Sequence, residues 1–126
     1  MIMKILIADD SPTIRRLVVA RLEADGYEVV EAEDGQEAVA LARSEHPDAY
    51  VLDKIMPKLD GFEVVQALRE DPQLGAGPIV MLTDRSSEED VLRGLELGVE
   101  EYMPKPFSPH ELTARLRRAL ARGSGS

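Results

Sequence analysis

Short apolar runs alternate with longer stretches of helical spacing along the whole chain. The first run, "MKILIA" (residues 3–8), has the length and aliphatic, β-branched character of a buried strand. Ser11-Pro12 then supplies a helix cap and a proline suited to the first helical position. Ile14, Leu17, Val18 and Leu22 follow at helical spacing, and Gly26 is the kind of residue that ends such a pattern. "YEVVEA" (27–32) predicts a second strand, and Asp34 with Glu37 opens a helix running through Ala42 and Arg43. "AYVL" (49–52) predicts a third strand; Asp60 and Glu63 repeat the capping pattern before a helix bearing Phe62, Val65 and Leu68. Pro72 and Gly75 close that helix, and "PIVMLT" (78–83) predicts a fourth strand. Ser86 to Glu89 cap a helix with Val91, Leu92 and Leu95 that stops at Gly98. "EEYM" (100–103) is a weak fifth strand, and Ser108-Pro109 with Glu111 caps a last helix bearing Leu112, Leu116 and Leu120.

These strand–helix units show no internal repeat. Their strict alternation predicts an α/β domain whose parallel sheet is covered by helices on both faces. Right-handed crossovers leave few ways to connect it. A chain of 126 residues matches one domain of the commonest size. "GSGS" (123–126) reads as an engineered flexible tail, so the domain is expected over residues 1–122.

Composition narrows the function. Apolar residues at 44% and charged residues at 31% fit a globular protein. The formal net charge of -9 argues against direct nucleic-acid contact, which needs clustered Lys and Arg. Arg115, Arg117, Arg118 and Arg122 do cluster, but in the last turns of a predicted helix, where basic residues are favoured anyway. The absence of cysteine excludes disulfides and thiolate chemistry. His46 and His110 lack metal-ligand spacing and read as ordinary surface residues. No apolar run approaches the roughly 18 residues of a membrane span and no signal-peptide pattern opens the chain, so the expected setting is the cytoplasm, away from membranes.

The polar residues after the strands carry the chemistry. In a parallel sheet all strands end on one edge, and ligands bind there. Asp9-Asp10, Asp53, Thr83 and Lys105-Pro106 each follow or close a predicted strand, so three carboxylates, a hydroxyl and an ammonium share one rim. Two like charges about 4 Å apart repel by roughly 4 kcal/mol at an effective dielectric near 20. Crowded carboxylates must raise one another's pKa or bind a cation, and oxygen-only ligands favour a hard ion such as magnesium. Cation, lysine, hydroxyl and a free carboxylate are the components of phosphoryl transfer. No GxxxxGK or GxGxxG follows any strand, so a nucleotide is not expected and the phosphoryl group arrives on another molecule.

"DD" after the first strand, "DKIMPKLDG" after the third, "LTD" closing the fourth and "YMPKPF" after the fifth stand in order at matching separations. With them the chain, up to about Arg122, resembles the receiver domain of two-component response regulators. The resemblance implies a flavodoxin-like, doubly wound sheet of order 2-1-3-4-5 with five helices. It implies that Asp53 is the phosphoacceptor, and that Asp10 and Asp53 bind Mg2+ (Mn2+ as a substitute) with Asp9 and the Ile55 carbonyl. Thr83 would hold a phosphoryl oxygen, Lys105 would pair with the phosphoryl group or the carboxylates, and Thr83 with the aromatic Tyr102 would form the switch that couples the added charge to packing. Lys105-Pro106 would be cis, and Pro57 and Gly61 would stiffen the acceptor loop. The implied donor is a sensor histidine kinase or phosphotransfer protein. The implied output is a changed surface on the fourth helix, fifth strand and fifth helix, read by an effector domain or protein. Such a protein is a monomer or a phosphorylation-linked dimer. It is not an enzyme beyond its own phosphorylation and dephosphorylation.

Two positions depart from the family pattern: Lys54 follows Asp53 where an apolar residue is usual, and Asp84 follows Thr83 where a small one is usual. They are expected to form an ion pair that gates the site entrance. A phosphorylation-independent pseudo-receiver, with Lys54 standing in for the metal, stays open as an alternative interaction module. A flavodoxin-like cofactor binder or small phosphohydrolase is disfavoured by the missing phosphate loop and by the lack of a "DxD" at the third strand. The chain stops near the end of the fifth helix, which fits either an excised domain or a natural single-domain regulator.

Overall fold

The computed structural model describes residues 2–74, 77–83 and 88–124. Its elements follow the predicted alternation: β1 (Lys4–Ala8), α1 (Pro12–Ala24), β2 (Glu28–Ala32), α2 (Gly35–Glu45), β3 (Ala49–Asp53), α3 (Gly61–Glu70), β4 (Ile79–Thr83), α4 (Glu88–Glu96), β5 (Glu101–Pro104) and α5 (Pro109–Ser124). Every strand pairing is parallel, in the order β2-β1-β3-β4-β5. The bounds differ from the sequence reading by a residue or so. The most useful difference is that Asp53 is itself the last residue of β3, paired with Leu82 on β4.

Alternation along the buried strands divides the core in two. Leu6, Tyr50, Leu52, Ile79 and Met81 face α2 and α3, where they meet Ala42, Phe62, Val65 and Leu68. Ile5, Ile7, Val51, Val80 and Leu82 face α1 and α5, where they meet Val18, Leu22, Leu112 and Leu116. Burying each such side chain stabilises the fold by about 1.5–3 kcal/mol, which is why β3 and β4 lack the polar alternation of a half-exposed strand.

The capping residues act as expected. Ser11 accepts from Ile14 N at 3.3 Å with Pro12 opening α1, Asp34 accepts from Glu37 N at 2.8 Å, and Ser108 accepts from Glu111 N at 3.4 Å. Asp60 and Glu63 bond reciprocally, at 2.8 and 3.0 Å, in a capping box. Ser86, expected to cap α4, lies outside the described residues, as does Gly75. Gly26 and Gly98 take φ of 92° and 76°, the left-handed values that end a helix. His46 ends α2 in the same region at φ 48°, a role no residue pattern announced.

Two helices depart from the expected burial. Leu17 on α1 is 56% exposed, and Val91, Leu92 and Leu95 on α4 are 37%, 54% and 67% exposed. Helical spacing identifies a shared face but not what covers it. The C-terminal arginines meet acids: Arg115, Arg118 and Arg122 pair with Glu101 on β5, and Arg117 lies 3.5 Å from Asp25.

Candidate functional site

The parallel sheet brings the ends of β1, β3, β4 and β5 to one rim, where the predicted polar residues meet. Asp9 follows β1 and is fully buried. Its Oδ1 accepts from Ser11 N at 2.9 Å, and its carbonyl accepts from Arg15 Nη1 at 2.8 Å. Asp10 next to it is exposed. Asp53 is 6% exposed, and its Oδ1 accepts from Ile55 N at 3.4 Å. Oxygens of Asp9, Asp10 and Asp53 all lie within 4.8 Å of one another.

Lys105 reaches the same cluster from the loop after β5, with Nζ 3.1 Å from Asp53 Oδ2 and 3.4 Å from Asp9 Oδ2. Its bond to Pro106 is cis, as the motif implied. Thr83 closes β4 in a buried position beside this loop, its carbonyl accepting from Lys105 N. Ile55 stands at the rim with its side chain 63% exposed.

Electrostatics follow from this crowding. Burial, then the neighbouring Asp9 carboxylate, push the Asp53 pKa up from 3.8 to about 6, with Lys105 and the Ile55 N–H only partly offsetting them. For Lys105, burial works to lower the pKa, but Asp53 and Asp9 outweigh it and the ammonium is held above its ordinary value. Among the described residues three carboxylates face the Lys105 ammonium, so together these four groups carry surplus negative charge when ionised. A hard divalent cation suits an all-oxygen set of this kind.

Tyr102, on β5 opposite Met81, stacks on Phe62 with centroids 6.4 Å apart. Burial and then the Asp90 carboxylate push its pKa up, while Lys54 and Thr83 oppose them. Its hydroxyl is enclosed and makes no hydrogen bond of ordinary geometry among the described residues.

The expected Lys54–Asp84 gate falls in part outside the described residues. Asp84 lies outside the described residues, and the Lys54 ammonium pairs with Asp90 on α4. Sequence reasoning missed that partner because a pair 36 residues apart on different elements leaves no spacing signal. It also missed Arg15, which ties the Asp9 carbonyl to Glu31 through a 3.3 Å ion pair. The place of Arg15 in the first turn of α1, just after the acid pair, was the available hint.

Comparison with known proteins agrees with this geometry. A family model described as "Response regulator receiver domain" matches residues 5–117. "Probable transcriptional regulator ycf27" of Porphyridium aerugineum is 50% identical over 119 residues, 94% of this chain and 48% of that protein. The chain thus spans about half the length of this regulator. The chemotaxis protein CheY4 of Vibrio cholerae superposes with TM-score 0.89 at 39% identity, over 94% of this chain and 99% of that one. The receiver domain of sensor histidine kinase PA1611 of Pseudomonas aeruginosa superposes with TM-score 0.86 at 30% identity, over 96% and 99% of the two chains. That structure is described as having a magnesium ion coordinated in its active-site cleft.

Proposed function

This chain belongs to the response regulator receiver domain family, and on that premise we propose that it is a phosphorylation-activated switch with Asp53 as the phosphoacceptor. The carrying observation is that the Asp53 carboxylate shares a rim with Asp9 and Asp10 and lies 3.1 Å from the Lys105 ammonium. Asp9, Asp10, Asp53 and the Ile55 carbonyl would hold Mg2+, or Mn2+ in its place. A bound divalent ion would supply charge compensation for the carboxylates and for incoming phosphoryl oxygens.

The protein's own groups then have distinct tasks. With a pKa of about 6, Asp53 is mostly ionised at neutral pH, the form a nucleophile needs. One of its oxygens bonds to phosphorus as the phosphorus–nitrogen bond of a phosphohistidine breaks, and the bonding pair leaves on the imidazole nitrogen. Lys105 exchanges its carboxylate partner for the new phosphoryl oxygens, and the Thr83 hydroxyl donates to one of them. Tyr102, beside Thr83, passes that movement to α4, β5 and α5. The donor is a sensor histidine kinase or phosphotransfer protein in the cytoplasm, and the reader an effector protein or domain. The greater length of the related transcriptional regulator supports an effector domain.

A phosphorylation-independent interaction module with Lys54 replacing the metal has less support, because Lys54 pairs with Asp90. The test is incubation with radiolabelled acetyl phosphate and Mg2+. The wild-type chain is expected to take up label that is lost on adding EDTA at the start and absent in Asp53→Asn. Equal labelling of Asp53→Asn would rule out this acceptor.

A further inference from the structure

Asp9 is held at every polar atom. Its N–H donates to Ala32 O at 3.2 Å, its Oδ1 accepts from Ser11 N at 2.9 Å, its Oδ2 lies 3.4 Å from Lys105 Nζ, and its carbonyl accepts from Arg15 Nη1 at 2.8 Å. Asp10 is exposed, and among the described residues no hydrogen bond holds its carboxylate. The direction in which Asp10 leaves the chain is therefore set by the planar peptide that joins it to Asp9, and Arg15 grips the carbonyl of that peptide. The Arg15 side chain is only 12% exposed, with Nε 3.3 Å from Glu31 and Nη2 3.7 Å from Glu33. It stands in the opening turn of α1, the end of a helix where the macrodipole disfavours a cation. Placing a charge there, largely out of water, has a cost that the two glutamates and the carbonyl offset.

We propose that Arg15 is a positioning residue for the cation site: by holding the Asp9–Asp10 peptide it aims the Asp10 carboxylate at the divalent ion shared with Asp9 and Asp53. The inference rests on reading that cluster as a cation site. The physical basis is that a ligating carboxylate must be oriented by its surroundings, and loss of such an outer partner lowers metal affinity. Charge alone argues the other way. Arg15 is a cation beside an anionic cluster, so its removal would strengthen the attraction for a divalent ion. Positioning and charge therefore predict opposite signs for the same substitution.

The test is titration of the unphosphorylated chain with MgCl2, followed by calorimetry or amide chemical shifts at a temperature where each variant is folded. Arg15→Met is expected to weaken Mg2+ binding about tenfold. Arg15→Lys keeps the charge and a donor for the same carbonyl, and its affinity is expected to fall between those of wild type and Arg15→Met. Arg15→Gln, neutral and too short to reach that carbonyl, carries the same expectation as Arg15→Met and replaces it if the apolar side chain prevents folding. Unchanged or tighter binding in the neutral variant overturns the proposal, because Arg15 then supplies only charge or stability. A loss in Arg15→Lys as large as in the neutral variant overturns it as well, since the retained donor then has no value. Thermal unfolding separates the two roles: a lowered unfolding temperature with wild-type affinity marks Arg15 as structural and sinks the inference. A wild-type chain that binds no Mg2+ removes both the cation-site reading and this inference. A wild-type chain that binds while the neutral variant matches it removes the inference alone.

Discussion

Helices α3 and α4 are neighbours beside the same aromatic pair, yet different forces hold them. α3 buries Phe62, Val64, Val65 and Leu68 to 1% exposure or less and begins with a complete capping box. α4 leaves Val91, Leu92 and Leu95 in solvent. Among the described residues its contacts include Gly94 against the Tyr102 ring, Arg93 4.7 Å over Phe62, and Asp90 on Lys54. At its end, Arg69 of α3 donates to the carbonyls of Leu97 and Gly98 at 3.3 and 2.8 Å. Apolar burial of the α3 kind is worth several kcal/mol in total, whereas a cation–π contact is worth about 0.5–2 kcal/mol and a mostly buried ion pair such as Lys54–Asp90 gains little net once its desolvation is offset. The helix held by charges and ring faces is the one that a change of charge at Asp53 can most readily move.

The comparison breaks first at Leu68. Leu68→Ala is expected to destabilise the domain by about 2–5 kcal/mol in urea unfolding, since the side chain is 1% exposed in the core. A cost below 1 kcal/mol would mean that α3 is not anchored by burial.

The charge on Asp53 gives the next largest effect. Its folded pKa of about 6 exceeds the ordinary 3.8, so the folded state binds this proton more tightly than the unfolded chain does. The associated stability is fully present below pH 3.8, is lost as pH rises to about 6, and leaves the ionised carboxylate as a cost above that. Asp53→Asn should therefore stabilise the metal-free protein at pH 7.5 by about 1–2 kcal/mol after allowance for solvent screening, and by little at pH 3.5. Thermal unfolding at the two pH values measures this. Hydrogen exchange in the same variant sharpens the comparison, because altered protection confined to α4 is the response expected of the charge-held helix.

Leu95 carries the smallest effect. With 67% of it exposed, Leu95→Ala should change stability by no more than about 0.5 kcal/mol, again by urea unfolding. A cost rivalling that of Leu68→Ala would show that this face is covered in solution.

Much of this was legible in the residues. The order of apolar runs and caps predicted the elements, and a parallel sheet forces Asp9, Asp10, Asp53, Thr83 and Lys105 onto one edge whatever their separation in sequence. Asp60 and Glu63 announced their capping box because both partners lie within one turn. What was not legible depended on contacts between elements. Val91, Leu92 and Leu95 have the spacing of a buried face, but spacing says nothing about whether a neighbour covers it. Lys54 stood out as an unusual residue, and the adjacent strand end seemed its natural partner. Its side chain pairs with Asp90, 36 residues on and on another element, a contact that no local pattern announces. The left-handed turn at His46 was equally silent, since histidine carries no strong preference for it.

Gly61, the first residue of α3, donates to the Lys54 carbonyl at 2.7 Å. A methyl group there would stand 2.5 Å from the Asp53 carbonyl oxygen and 2.9 Å from the Lys54 Cα, atoms of the main chain that cannot rotate aside. Gly94 is more forgiving, because an added methyl would meet the edge of the Tyr102 ring at 3.3 Å, and a ring can tilt. The alphabet available to position 61 therefore shrinks to a single letter, while position 94 keeps a little room for drift. The solvent-facing side of α4, with Val91, Leu92 and Leu95, can therefore change its chemistry at little cost, whereas the first residue of α3 has no substitute.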